Sequence, residues 1–349
     1  MSDISLTIDG HKIGARSGMT VLEAALEAGI YIPNLCADPD LRSYGACRAC
    51  IVEIEGMRGL PASCTVRVAD GMKVRTETPL VDMTRRTVVE LLLSDHPDDC
   101  LTCPKNQRCS LQRVAAYVGV RDHRFATTTR SLPVDESNPF FTYDMNKCIL
   151  CGKCVRVCDE VQGLGAISFI NRGYSTKVGT FMDRPIVDSI CESCGQCEAK
   201  CPVGAITVKN YQEPTRRVKT VCSYCGVGCG VLLEVRGSKV IGADGDRESP
   251  VSHGSLCVKG RFGTEFVNHP DRLTKPLVRK DGQLVESTWE EALELVSSKL
   301  AGYAEPGGDG GAPFAALASA KCTNEENYLL QKFTRAVMGT NNIDHCARV

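Results

Sequence analysis

The chain has 349 residues, of which 43% are hydrophobic and 24% charged, a composition typical of a folded protein with several domains. The formal net charge of −1 gives no electrostatic reason to expect nucleic acid as a partner. Cysteine is the exception, because 21 cysteines are present and the first residues lack the pattern of a signal peptide. In a reducing compartment this density of cysteine predicts metal sites rather than disulfide bonds.

The sequence also gives no indication of direct membrane insertion. The longest apolar runs, such as residues 88–93, are far shorter than the roughly 20 residues that span a bilayer. The pairs Arg85-Arg86 and Arg216-Arg217 are internal, so they do not form an N-terminal twin-arginine export signal. We therefore expect a cytoplasmic protein.

Residues 1–80 are predicted to form a small β-rich, β-grasp-like domain. Alternating apolar residues at 4–8 indicate a strand, and residues 51–56 and 72–78 indicate two more. Between them lies a helix for which Thr20 is the expected N-cap and Gly29 the residue after the end. The domain contains four cysteines that can hold a [2Fe–2S] cluster, with a zinc site as the alternative: Cys36, Cys47, Cys50 and Cys64.

Residues 81–130 are predicted to form a helical segment with a second ligand group. One imidazole and three thiolates follow each other at short spacing: His96, Cys100, Cys103 and Cys109. This set fits either a zinc ion or a [4Fe–4S] cluster with one histidine ligand. The polar, proline-containing residues 127–139 that follow are predicted to be a linker.

Residues 140–211 contain an internal repeat with an offset of 43 residues. The pattern C-x2-C-x2-C-x3-C occurs twice, at Cys148, Cys151, Cys154 and Cys158 and again at Cys191, Cys194, Cys197 and Cys201. This is the pattern of bacterial two-cluster ferredoxins, in which the fourth cysteine of each run binds the other cluster. One [4Fe–4S] cluster is therefore predicted on the first three cysteines with Cys201, and another on the second three with Cys158.

Residues 218–270 contain a fourth ligand group of spacing C-x2-C-x3-C-x27-C, which fits a further [4Fe–4S] cluster: Cys222, Cys225, Cys229 and Cys257. Gly226, Gly228 and Gly230 would let the backbone approach the cluster closely. Residues 231–246 are predicted to form a hairpin.

Residues 271–349 are predicted to begin an α/β region. A helix with Ser287 as its N-cap and Glu290 three residues later is expected, and Trp289 is expected in the core. A second helix is expected to end at Gly339, before a strand or loop.

These motifs resemble those of known redox families. The first two ligand groups resemble the N-terminal part of complex I large subunits and iron-only hydrogenases, in which the second group binds a His-ligated [4Fe–4S] cluster. The residues CSYCGVGC followed by CVKG resemble the cluster domain of molybdenum or tungsten bis-pterin oxidoreductases, above all the formate dehydrogenases. By that resemblance Lys259 lies between the cluster and the pterin and helps electrons to pass; the alternative is a solvated surface lysine.

The resemblance covers essentially the whole chain and implies a multi-domain α+β fold. Its parts are a β-grasp [2Fe–2S] domain, a His-ligated [4Fe–4S] segment, a two-cluster ferredoxin domain and the start of the molybdopterin oxidoreductase α/β fold. The implied function is the electron-transfer portion of a formate dehydrogenase. The implied cofactors are one [2Fe–2S] cluster, four [4Fe–4S] clusters and, in the full-length enzyme, molybdenum or tungsten bis(molybdopterin guanine dinucleotide).

The implied partners are flavin- and NAD(P)-binding diaphorase-type subunits, a ferredoxin or a hydrogenase. The alternatives are a stand-alone electron-transfer protein, a complex I or hydrogenase-like redox subunit, and a structural protein with several zinc ions.

The final residues NNIDHCARV resemble the formate dehydrogenase motif that precedes the metal-binding cysteine or selenocysteine. The expectation is that the chain stops at an in-frame selenocysteine codon and lacks the active-site metal ligand.

Overall fold

The computed structural model describes residues 3–121, 124–126, 128–304 and 314–346. The chain divides into two compact units, Met1–Tyr211 and Gln212–Val349. Among the residues described, none of the helices combines the length and the apolar character that a membrane span needs.

The first unit begins with a four-stranded sheet. Its strands lie in the order β2–β1–β4–β3, with β1 and β4 parallel and the other pairs antiparallel. They are β1 (Asp3–Ile8), β2 (His11–Arg16), β3 (Glu53–Ile54) and β4 (Lys73–Arg75). Alternate residues of β1, such as Leu6 and Ile8, point into one core and are at most 1% exposed. The predicted β-rich domain is therefore present. Strand β1 covers its predicted residues, β3 and β4 are shorter than the pattern indicates, and β2 was not predicted.

Helix α1 (Val21–Glu27) packs on this core with both of its predicted end signals in place. The Thr20 hydroxyl accepts a hydrogen bond from the Glu23 amide at 3.2 Å, and the Glu23 carboxylate accepts one from the Thr20 amide at 2.6 Å. These reciprocal bonds form a capping box. Gly29 has a φ of +75°, which glycine adopts without strain and which ends the helix.

Two helices connect the sheet to the cysteine-rich half of this unit. Helix α2 (Pro79–Ser94) begins with a proline, and the Thr78 hydroxyl caps it by accepting a bond from the Val81 amide at 3.2 Å. Helix α3 (Ser110–Tyr117) begins directly after Cys109.

The cysteine repeat folds as two similar halves. Strand β5 (Phe141–Tyr143) pairs antiparallel with β8 (Ile206–Val208) in a two-stranded sheet that joins the start of the repeat to its end. Helices α4 (Lys153–Arg156) and α5 (Gln196–Lys200) occupy equivalent places in the two halves. Strands β6 (Ser168–Ile170) and β7 (Lys177–Gly179) form a hairpin between them.

The stretch predicted as a linker, residues 127–139, has no helix and no named strand in its described part, 128–139, and hydrogen bonds of Asp135 and Asn138 hold it to the cysteine repeat. Residue 127 lies outside the described residues. Asn138 is 1% exposed, donates to the Ser193 hydroxyl at 2.8 Å and accepts from the Phe140 amide at 2.9 Å. Asp135 exchanges two backbone bonds of 2.9 Å with Tyr143. The buried Asn138 thus satisfies backbone and side-chain groups of the repeat, whereas Thr128, Thr129, Ser131 and Glu136 of the same stretch are exposed.

The second unit begins with a three-stranded antiparallel sheet of order β11–β10–β9. Its strands are β9 (Arg216–Val221), β10 (Gly230–Arg236) and β11 (Lys239–Gly245), and helix α6 (Val258–Phe262) follows. The predicted hairpin is confirmed as β10 and β11. The sequence did not indicate β9, because its residues are exposed on both faces and show no alternation.

The rest of this unit comprises a hairpin, a parallel strand pair and two helices. These are β12 (Leu277–Lys280), β13 (Gln283–Glu286), α7 (Trp289–Ala304), β14 (Ala316–Ser319), α8 (Asn324–Ala336) and β15 (Ile343–Cys346). Strands β14 and β15 are parallel. The predicted second helix is α8, which ends three residues before Gly339. Residues 347–349, the last part of the motif that resembles an active-site segment, lie outside the described residues.

Two predictions at the start of α7 are wrong. Its capping hydroxyl belongs to Thr288 rather than Ser287, and accepts a bond from the Glu291 amide at 3.2 Å. The helix therefore begins one residue later than the capping pattern indicates. Trp289, expected in the core, is 64% exposed because it occupies the first turn of a helix that has no buried residue within this unit.

Candidate iron–sulfur centres

The thiols of the first ligand group lie together at the edge of the β-rich core. The Cys36 thiol is within hydrogen-bonding distance of those of Cys47 and Cys64, and the Cys50 thiol is within that distance of Cys64. The Cys47 amide also donates to the Cys36 sulfur at 3.5 Å. All four side chains are buried.

The pKa values of these four thiols diverge because they compete for protons. Bonds from the Cys47 and Cys64 thiols lower the pKa of Cys36 to about 2, and a bond from Cys64 lowers the pKa of Cys50 to about 6. The pKa values of the two donors, Cys47 and Cys64, are raised. A thiolate is the form that binds iron, and the hydrogen bonds favour it at Cys36 and Cys50.

A buried arginine that the sequence did not reveal holds the loop of this group. Arg85 of α2 is 2% exposed, and its guanidinium donates to the carbonyls of Ala49 at 3.0 Å, Ile51 at 2.8 Å and Thr76 at 3.1 Å. The first two carbonyls flank Cys50. The only available signal was its spacing of four residues from Val81 and Val89 on the apolar face of α2.

His96 fits the role of a metal ligand in the second group. Its ring is 8% exposed, and Nδ1 lies 3.0 Å from the Pro97 carbonyl oxygen, which makes Nδ1 the protonated nitrogen. The other nitrogen, Nε2, is buried and has no hydrogen-bond partner among the described residues. Burial lowers the pKa of His96, which keeps the imidazole neutral. A neutral histidine with one nitrogen oriented by a carbonyl and the other unpaired is the arrangement that metal binding requires.

The cysteines of the second group lie where this segment meets the cysteine repeat. Burial raises the pKa of Cys109, and the neighbouring Cys103 and Cys100 add to that effect. Cys103 packs so closely on Gly204 that a Cβ at that glycine would lie 2.5 Å from its sulfur. The glycine at position 204 therefore makes room for a predicted ligand of a different group.

The repeat brings its eight cysteines into two sets, each around one small cavity. The first cavity is lined by Cys148, Cys151, Cys154 and Cys201, and the second by Cys158, Cys191, Cys194 and Cys197. These are the two sets predicted from the spacing.

The backbone around the two sets is equivalent as well. The amides of Leu150 and Ser193 each donate to the sulfur two residues earlier at 3.4 Å, and both residues have a positive φ, of 53° and 56°. Gly152 and Gly195 follow with φ values of 72° and 73°. Such turns point amides at the sulfurs, which a bound cluster requires.

One side chain also contacts a sulfur in the second set. The Tyr143 hydroxyl lies 3.0 Å from the Cys197 sulfur, and Tyr143 is 7% exposed. Burial raises the pKa of Tyr143 well above its usual value, and the neighbouring thiol adds to this effect, so the phenol keeps its proton.

Arg156 connects the first ligand group to the first set of the repeat. Its guanidinium donates to the Cys36 carbonyl at 2.6 Å and to the Arg42 carbonyl, and lies 5.2 Å from the Tyr44 ring centroid. Arg156 is two residues from Cys154, so one side chain and one hydrogen bond connect the Cys36 carbonyl to the segment that contains Cys154.

A buried ion pair reinforces the same contact. Asp38 has a side chain only 4% exposed and lies 2.6 Å from the Lys200 ammonium and 3.7 Å from that of Lys153. Burial acts to raise the pKa of Asp38, but the bond and charge of Lys200 together with the charge of Lys153 outweigh it, so the pKa is lowered.

The fourth group lies in the second unit, between the sheet and α6. Burial raises the pKa values of Cys222 and Cys229, and both are raised further by Cys225 and Cys257. Gly228, which lies between them in sequence, has a φ of +68°. Cys257 is exposed.

Lys259, the predicted electron relay residue, is exposed on α6, two residues after Cys257.

Within the described parts of the chain, no three His, Cys, Asp or Glu side chains form the ligand set of a single metal ion. In a [4Fe–4S] cluster each of the four ligands binds a different iron atom.

Together the fold and these ligand sets define a multi-centre iron–sulfur electron-transfer protein. Family models match the chain in five successive segments. They are the 2Fe-2S iron-sulfur cluster binding domain (2–79), the NADH-ubiquinone oxidoreductase-G iron-sulfur binding region (85–124), the ferredoxin-like domain of the third NADH-quinone oxidoreductase subunit (138–207), the molybdopterin oxidoreductase Fe4S4 domain (215–269) and molybdopterin oxidoreductase (272–349).

Individual relatives match nearly the whole chain. It is 37% identical to a G-type NADH-quinone oxidoreductase subunit of Rhizobium meliloti over 99% of its length, and 35% identical to "Putative formate dehydrogenase YrhE" of Bacillus subtilis over 100%. It spans 40% of the length of each of these relatives. A chain in the crystal structure of an NAD+-reducing [NiFe]-hydrogenase is 33% identical and superposes with a TM-score of 0.56, over 60% of this chain and 88% of that one.

The chain thus belongs to the molybdopterin oxidoreductase iron–sulfur family, and its N-terminal part is that of the NADH-quinone oxidoreductase G type. It is an iron–sulfur electron-transfer module of that family. Its relatives include proteins named for NADH-quinone oxidoreductase as well as for formate dehydrogenase.

Proposed function

We propose that the chain is the electron relay of a formate dehydrogenase, in which electrons from formate oxidation to CO2 pass to a flavin- and NAD(P)-binding partner. The observation that supports a relay most strongly is the arrangement of the eight repeat cysteines in two sets of four, each around its own cavity. A protein that binds a single cluster there would need only one such set. Formate dehydrogenase is favoured by the combination of this two-cluster repeat with the CSYCGVGC and CVKG motifs.

The proposed cofactors are one [2Fe–2S] cluster and four [4Fe–4S] clusters. When bound, such clusters accept and pass on one electron at a time. The chain's own part is to hold and tune them. The thiols of the first group are buried away from water, His96 offers one oriented nitrogen, and turn amides of the repeat donate to sulfurs. In the whole protein, Lys259 is proposed to lie between the last cluster and a molybdenum or tungsten bis(molybdopterin guanine dinucleotide).

A second candidate function is a relay that takes electrons from NAD(P)H in an NADH-quinone oxidoreductase-type complex. It is favoured by the 37% identity to the Rhizobium meliloti relative and by the likeness to a chain of the NAD+-reducing hydrogenase. In both candidates the partner subunit binds flavin and NAD(P).

Anaerobic purification of the chain tests the relay. With all five sites filled, about 18 iron atoms per chain are expected, together with brown colour and EPR signals of both cluster types after reduction. A colourless protein that contains zinc would refute the relay in either form.

To separate the two functions, the complex that contains this chain is given formate or NAD(P)H alone. Reduction of the clusters by formate supports formate dehydrogenase, and reduction by NAD(P)H with no response to formate supports the second candidate.

A further inference from the structure

Tyr143 occupies a place at which its hydroxyl can act on a single cluster. The hydroxyl lies 3.0 Å from the sulfur of Cys197, and among the residues that the structure describes this sulfur is its hydrogen-bond partner. Both side chains are buried, at 7% and 8% exposure, so water does not compete for the contact. A hydrogen bond in such surroundings is electrostatically stronger than one in water.

The ring of Tyr143 is held from several sides. Its strand pairs with β8, in which Ile206 stands opposite, and two backbone bonds of 2.9 Å join it to Asp135. The Phe141 ring meets it edge to face, with centroids 5.6 Å apart. The hydroxyl is therefore positioned by the fold rather than by the thiol alone.

The direction of the hydrogen bond follows from the state of the sulfur. In a free cysteine either atom can be the donor. A cysteine that binds iron is a thiolate without a proton, so only the phenol can donate. The donated bond is stronger when the cluster has gained an electron, because the sulfur then has more negative charge. Such a bond therefore stabilises the reduced state.

The internal repeat provides a comparison within the same chain. The turn amides at Leu150 and Ser193 are equivalent in the two halves, and both donate at 3.4 Å. The residue 43 positions later, Ile186, lines the same second cavity and is therefore not the structural counterpart of Tyr143. Among the residues that line the two cavities, Tyr143 alone has a hydroxyl, and it lies at the second.

We propose that the Tyr143 hydroxyl donates a hydrogen bond to the Cys197 thiolate and thereby raises the reduction potential of one cluster. The affected cluster is the one predicted on Cys158, Cys191, Cys194 and Cys197. Tyr143 is a tuning residue in this role and not a ligand. The inference rests on the proposed function, since it requires that the repeat binds clusters.

The test compares the full chain with its Tyr143→Phe variant, which removes one oxygen atom. Both are purified anaerobically with their clusters and titrated potentiometrically while the EPR signals are followed. One [4Fe–4S] feature is expected to move to lower potential in Tyr143→Phe, while the iron content and the other features stay unchanged. The matched control is Tyr117→Phe. This variant also loses one hydroxyl hydrogen bond, of 3.0 Å to Glu77, but that bond involves no cysteine. The reduction potentials of all its clusters should equal those of the original chain.

A ligand variant identifies the cluster. Cys194→Ser alters the predicted set directly, and it must perturb the same feature that Tyr143→Phe shifts. An unchanged potential in Tyr143→Phe at full iron content, or a shift of a feature that Cys194→Ser leaves alone, would overturn the proposal.

A second variant decides the matter if Tyr143→Phe loses iron. A fluorinated tyrosine placed only at position 143 keeps the ring and makes the phenol a stronger donor. The potential of the same cluster should then rise, and no change would refute the role of the hydroxyl. If the original chain itself binds no clusters, the proposed function fails; if clusters are present and only these shifts are absent, this inference alone fails.

Discussion

Replacement of Arg85 by methionine should loosen the first ligand group without altering any of its ligands. Methionine fills much of the same volume but donates no hydrogen bond, so three carbonyls that are now bonded at 2.8–3.1 Å lose their donor. Their residues, Ala49, Ile51 and Thr76, are at most 3% exposed, and water cannot replace the guanidinium without local opening.

The size of the effect follows from these contacts. A buried acceptor left without its donor costs about 1–3 kcal/mol. Three such acceptors set a range of about 3–9 kcal/mol. Because the variant no longer buries a charge, part of this cost is recovered, and we expect about 3–4 kcal/mol. Local opening of the loop around Cys50 should therefore become more frequent by roughly two to three orders of magnitude, at about 1.4 kcal/mol per tenfold.

The assay is the rate at which an iron chelator bleaches the [2Fe–2S] absorption under native conditions, in the full chain. Hydrogen exchange at the Cys50 and Ile51 amides gives a second readout that does not depend on iron. The control is Arg86→Met, which removes a neighbouring exposed arginine with one carbonyl bond of 3.1 Å to Val118. A bleaching rate for Arg85→Met within tenfold of the original, with Arg86→Met equal to it, would show that the guanidinium does not hold the loop.

Three further predictions concern the other groups. His96→Cys should retain its cluster but lower that cluster's potential in an EPR titration, because a thiolate adds negative charge; an unchanged potential would argue against His96 as a ligand. Gly204→Ala should lower the iron content of that same cluster, measured per chain, because the new Cβ would lie 2.5 Å from the Cys103 sulfur; full occupancy would show that the backbone adapts. Arg156→Met removes the bonds to the carbonyls of Cys36 and Arg42, so electron exchange between the first group and the repeat should slow by tenfold or more in rapid-freeze EPR, whereas equal rates would exclude this contact from the path.

The sequence by itself determined which residues are grouped as ligands. In the first group only Cys47 and Cys50 are close together. In the second group, the repeat and the fourth group at least three of the ligands lie close together in sequence, so their spacing alone restricts what they can bind. The same is true of the ends of α1, where Thr20, Glu23 and Gly29 act on neighbouring backbone groups. Local chemistry of this kind is readable before any fold is known.

Local patterns were misleading where packing decided the outcome. Residues 128–139 are polar and contain prolines, yet Asn138 is buried because its amide satisfies backbone and side-chain groups of the repeat. Trp289 is apolar, yet it is exposed because the helix that contains it has no buried residue within its unit.

Only the tertiary structure showed what surrounds the ligands. Arg85 reaches carbonyls 34 and 36 residues away beside Cys50, Arg156 reaches a carbonyl 120 residues away, and Tyr143 reaches a sulfur 54 residues away. Hydrophobic periodicity in the sequence does not predict contacts between residues so far apart, because each contact depends on how separate segments fold against one another. The spacing of the cysteines therefore predicts where clusters bind, and the packing around them decides how firmly they are held and at what potential they work.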